Sequence, residues 1–86
     1  MKIDFLFVDR IRRFSLDIER ESGRTFVGIP VSNQWVDYTE WYEIDRETFD
    51  RYLARPAEAH EFVERCKRRE MDHLLLLPPG RDRGYA

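Results

Sequence analysis

The chain has 86 residues, 17 acids against 15 bases and a net charge of −2. That length leaves room for one domain and one core, and the near balance of charge argues against a general nucleic-acid binder, whose surface would be strongly basic. The single cysteine, Cys66, excludes an internal disulfide. The opening residues carry no leader pattern, and the longest apolar run, Leu74–Leu77, is far too short to span a bilayer. The expected setting is therefore reducing and cytoplasmic, with no membrane.

Ile3, Phe5 and Phe7 alternate with Asp4, Leu6 and Val8, which predicts an opening strand. Residues 9–13 contain no glycine, proline or asparagine, so a tight turn and a bulged continuation both remain open there. Phe14, Leu16 and Ile18 alternate strictly with Ser15, Asp17 and Glu19, the pattern of a half-buried strand. Gly23 supplies a turn. Val27, Ile29 and Val31 carry the returning strand, with Pro30 expected at an edge, a bulge or the strand's end because it cannot donate to a ladder. After Ser32-Asn33-Gln34, the stretch Trp35–Ile44 reads as a further strand.

Asp45 is placed to cap a helix whose first turn holds Glu47. Phe49, Tyr52 and Leu53 fall at helical spacing, and Pro56 ends that helix near Ala54. Pro56 also suits the first position of a second helix. Its apolar stripe is Ala59, Phe62, Val63 and Cys66, and its predicted end lies near Glu70 or Met71. The i,i+4 pairs Glu61–Arg65 and Glu64–Arg68 support it. Leu74–Leu77 reads as a short buried strand stopped by Pro78-Pro79-Gly80. The fold class is therefore α+β: a small antiparallel sheet of three to five strands with two consecutive helices on one face. Residues 1–80 form the single domain and 81–86 a loose C-terminal tail.

The densest functional signal is Trp35–Ile44, which holds both tryptophans. Even positions of this strand point toward the core, with Glu40 the exception. Odd positions alternate Trp35 and Trp41 with Asp37 and Glu43. Tryptophan brings large contact area at low entropic cost, and flanking acids steer a basic partner. Trp35, Asp37, Glu40, Trp41 and Glu43 are thus the candidate protein-binding residues, and bare tryptophans would equally serve a homodimer. The alternative is a small nucleic-acid-binding regulator using Arg65, Lys67, Arg68 and Arg69. Against it, Glu61, Glu64 and Glu70 offset these bases, and no aromatic residue interleaves them.

Nothing in the sequence assembles an enzyme. Cys66 lies on an apolar stripe, and His60, six residues away, is off its helical face. The four glycines are dispersed, so there is no phosphate loop. No spacing matches a metal site, and no cofactor is implied.

Ile29-Pro30-Val31-Ser32-Asn33, the run Val36-Asp37-Tyr38 with Glu40, Tyr42, Glu43 and Ile44, the helical pattern Phe49, Tyr52, Leu53, Pro56, Ala57, then Glu64-Arg65-Cys66 and Pro79-Gly80-Arg81 form a recognisable series. It resembles a group of small, mostly uncharacterised bacterial proteins associated with immunity partners of secreted antibacterial toxins. The similarity spans about residues 29–83 and leaves out the opening arm. It implies a non-catalytic protein that binds and blocks one cognate toxin. It carries no binding residue over to this chain.

Overall fold

Strict alternation in the first half of the chain builds a four-stranded antiparallel meander in the computed structural model, which describes residues 2–86. Strands β1 (Ile3–Asp9), β2 (Phe14–Glu19), β3 (Thr25–Ser32) and β4 (Asp37–Ile44) lie side by side in chain order. Residues 10–13 form a turn rather than a continued strand. The Asp9 carboxylate accepts from the backbone N–H groups of Ile11 and Arg12, and Arg13 takes a positive φ of 57°. The expected strand at Trp35 starts two residues later, because Asn33 closes a local turn first.

One face of the sheet carries Phe14, Leu16, Val27, Ile29, Val31 and Tyr42, all buried. Helices α1 (Arg46–Ala54) and α2 (His60–Lys67) cover it, joined by a 3-10 turn at Pro56–Ala59. They contribute Phe49, Tyr52, Ala59, Val63 and Cys66 to the same core. Asp45 caps α1, accepting from Thr48 N–H at 2.8 Å. The core face therefore follows the hydrophobic alternation, and the architecture is the small α+β fold expected.

Helix α2 stops at Lys67, short of the expected Glu70 or Met71. Arg69 enters the left-handed region at φ 63°. Its N–H bonds to the Cys66 carbonyl and the Glu70 N–H to that of Arg65, a closed C-terminal motif. The early stop redirects the ion pairs. Arg65 and Arg68 both meet Glu70 instead of Glu61 and Glu64.

Leu74–Leu77 is not a central strand. It follows a 3-10 turn (Asp72–Leu74) and touches the outer edge of β4 through a Tyr42–Leu75 bridge and a Leu76 N–H to Trp41 carbonyl bond. Its apolar side chains are only partly covered, since one side packs on the core and the other meets solvent.

Residues 81–86 are not a loose tail. Strand β3 outruns β2, whose last partner on it is Gly28. In the space beyond, Ser32 and Tyr85 exchange backbone hydrogen bonds of 3.0 and 2.9 Å. Pro30 sits on this overhang, two residues before Ser32, so its missing N–H falls where β2 has already ended.

Candidate functional site

Register rather than composition decides where the expected binding residues go. On the helix-free face, one row across the sheet runs Val8, Ser15, Gly28, Trp41, and the next runs Phe5, Asp17, Phe26, Glu43. Gly28 has no side chain to stand between Ser15 and Trp41. A Cβ there would collide with the Asp17 carboxylate and lie 2.5 Å from Ser15 Oγ. The Trp41 indole therefore lies across β3 and donates from Nε1 to Asp17 Oδ2 at 2.8 Å, and Ser15 Oγ donates to the same oxygen at 3.1 Å.

Phe26 and Asp17 are fully buried on this nominally open face. Arg24 stacks over the Phe26 ring at 5.6 Å and holds Glu43 with two bonds of 3.0 and 2.6 Å. Burial pushes the Asp17 carboxyl up to about 6, against the downward pull of the Ser15 and Trp41 hydrogen bonds. Its Oδ1 has no hydrogen-bond partner among the described residues. Glu19 shows the opposite case. Its carboxylate accepts from the N–H groups of Lys2, Ser22 and Glu21, which hold it down to about 2.

The five expected binding residues are therefore separated. Glu40 faces the helix side, away from Asp37, Trp41 and Glu43, because even positions of β4 turn inward. Its carboxylate meets the Arg83 guanidinium at 2.7 and 3.1 Å, and Arg83 also grips Asp72 at 2.7 and 2.9 Å. Arg83 and Glu40 side chains are 10% and 9% exposed, so this is a nearly buried clasp. The Arg83 hydrogen bonds, helped by its charge, hold Asp72 below the usual carboxylate range. The Tyr42 hydroxyl sits beside it, 3.1 Å from Glu40 Oε1 and 3.2 Å from the Cys66 carbonyl, and burial raises its pKa. Trp41 and Glu43 are committed to Asp17 and Arg24.

Trp35 remains outside. The Asn33 side-chain oxygen accepts from the N–H groups of both Trp35 and Val36 at 2.8 Å, fixing the β3–β4 turn. The amide of the same side chain donates to the Asp82 carbonyl at 2.8 Å, tying turn to tail. Trp35, Val36 and Tyr85 are 70%, 56% and 75% exposed. Asp37, whose carboxylate accepts from Ser32 Oγ at 2.6 Å, lies at the start of β4 beside them. A cleft of about 480 Å³ opens between Ser32, Asn33, Gln34 and the tail residues Asp82, Arg83 and Tyr85.

The basic cluster is committed too. Arg65 and Arg68 meet Glu70, while Lys67 meets Glu64 and donates to the Arg12 carbonyl. Arg69 stacks on Tyr85 at 4.7 Å and donates to the Gly84 carbonyl. Cys66 is buried, and burial pushes its thiol up to about 12, the reverse of an activated nucleophile. His60 packs edge-on against Phe14, their centroids 5.9 Å apart.

Asp17, Gly28 and Arg83 were not legible as important from the sequence. The one available signal was a glycine inside a strand pattern, which marks a close approach by another group. No family model, curated protein or solved structure matches the chain, and no helix among the described residues is long and apolar enough to cross a membrane.

Proposed function

We propose that this chain is a non-catalytic protein-binding module, an immunity-type inhibitor that blocks a cognate toxin in the cytoplasm. The observation that carries the reading is Trp35, 70% exposed on a turn that Asn33 closes and ties to the tail. The backbone that presents this aromatic is fixed before contact, so binding need not order the turn, which is how preorganised anchors gain affinity. Val36 and Tyr85 extend the apolar area, and Asp37 adds negative charge at the same end of the sheet. The contact surface is thus the β3–β4 turn with the docked tail, a narrower site than the whole face of β4.

The test is capture of a partner from extracts of cells that naturally express the protein, using wild type and Trp35→Ala. Loss of a specifically captured partner, with an unchanged circular dichroism spectrum, supports the reading. An anchor residue lowers affinity by about 2 kcal/mol or more when truncated. Equal capture by both proteins, or capture by neither, overturns it.

A further inference from the structure

The two edges of the sheet are treated differently. The outer edge of β4 is covered by Leu75 and Leu76. The outer edge of β1 pairs with no strand among the described residues. Yet β1 is apolar at its centre: Phe5, Leu6 and Val8 are 54%, 51% and 52% exposed. No proline interrupts it, and its one lysine, Lys2, lies just before it. A bare edge of this length is a template for another strand.

We infer that this edge pairs with the same edge of a second copy, giving a two-fold homodimer with one continuous sheet. The bulge in β1 selects the partner. Phe5 stands opposite Asp17 but Phe7 opposite Leu16, so the strand carries one extra residue around Leu6. Against a regular strand that residue would be left without a counterpart. A second β1, run antiparallel, brings an identical bulge to the same place, Phe5 against Leu6 on each side of the axis.

That alignment also satisfies faces and charge. It sets Ile3 against Val8, both on the helix-free face, since they stand opposite Glu19 and Ser15 of β2. It sets Asp4 against Phe7, both on the helix face, opposite Ile18 and Leu16. It sets Lys2 against Asp9 twice, once at each end. Sliding by one residue puts apolar side chains on opposite faces. Sliding by two in one direction opposes Asp4 to Asp9, a like-charge contact. In the other direction it opposes Lys2 to Phe7 and loses both ion pairs. The partner's Ile3 would then lie against Val8, at the mouth of a groove of about 280 Å³ between Phe5, Val8, Pro30 and Thr39.

Sedimentation equilibrium from about 1 µM to about 1 mM tests this. The expected result is a dimer for wild type and for Trp35→Ala, whose substitution lies away from β1. Leu6→Lys, at an exposed position, is expected to be monomeric with unchanged circular dichroism. Lys2→Glu, which opposes two acids, is expected to weaken the dimer at least about tenfold. Under oxidation the double variant Ile3→Cys/Val8→Cys should form an inter-chain disulfide that neither single variant forms. A wild-type monomer across the range overturns the proposal. So does a dimer unaffected by both Leu6→Lys and Lys2→Glu; if Leu6→Lys fails to fold, Lys2→Glu alone decides. Because the readout is self-association, failure here leaves the Trp35 reading standing, and the reverse also holds.

Discussion

Trp41 reaches from β4 across the whole width of β3 to donate its indole N–H to Asp17 on β2, 2.8 Å away. The link exists because Gly28 leaves the row between them empty, and it closes a small polar centre on the face that no helix covers.

Gly28→Ala tests the link directly. The new methyl would collide with the Asp17 carboxylate and Ser15 Oγ, in a strand whose backbone can itself accept alanine. Relieving the clash must displace Asp17 or Trp41. The expected loss is about 1–3 kcal/mol, measured by urea denaturation, with a change in near-ultraviolet circular dichroism as the indole moves.

Asp17 should favour the folded state most strongly in acid. Asp17 titrates at about 6 when folded against an ordinary value of 3.8, so the folded state holds its proton more tightly. That contribution is complete below pH 3.8 and lost as pH rises through about 6, on the order of 2–3 kcal/mol in all. Glu19, held at about 2, works in the opposite sense: its contribution is present above 4.5 and lost as pH falls toward 2. Glu43, Asp45, Glu70 and Asp72, also held low, act in the same sense as Glu19. Urea midpoints of both proteins across the acid range check this: wild type should lose stability relative to Asp17→Asn as pH rises through about 6.

Arg83→Ala should be more costly than an ordinary surface change. It leaves Glu40, 9% exposed, and Asp72 without their shared cation. Removing one partner of a nearly buried pair costs about 2–4 kcal/mol. Arg83→Lys should recover little, since an ammonium cannot grip both carboxylates by paired bonds. Limited proteolysis should cut the variant between residues 77 and 82 at a protease concentration that spares wild type.

The two tryptophans should separate spectroscopically. Trp35→Ala, at an exposed turn position, should change stability by no more than about 0.5 kcal/mol. It should also remove the more readily quenched part of the fluorescence. Trp41→Phe keeps a ring but leaves Asp17 with one hydrogen-bond donor, and should cost about 1–3 kcal/mol.

Periodicity made the core legible. Phe14, Leu16 and Ile18, and then Val27, Ile29 and Val31, announced which face would be covered. Asp45 announced where α1 starts; Pro56 announced where it ends, but it opens a 3-10 turn and α2 begins only at His60. The open face was not legible, because the same alternation that assigns Ser15 and Asp17 outward cannot show that Trp41 will lie over them. That depends on a glycine on the intervening strand, paired in register with both Ser15 and Trp41. Arg83 was hidden for a related reason. Glu40 looked like an acid on a binding strand, and its cation comes from a tail rich in glycine and charge that reads as unstructured by local criteria. Leu74–Leu77 misled in the other direction: a uniform apolar run is compatible with a buried strand and with a segment lying along a sheet edge.

Every strand of the meander pairs with its neighbour in sequence, whereas the Arg83–Glu40 contact joins positions 43 residues apart. Successive hairpins can zip before so distant a contact forms, since closing the large loop is entropically slow. The clasp is therefore expected to form after the folding barrier, so that Arg83→Ala should speed unfolding far more than it slows folding in stopped-flow kinetics.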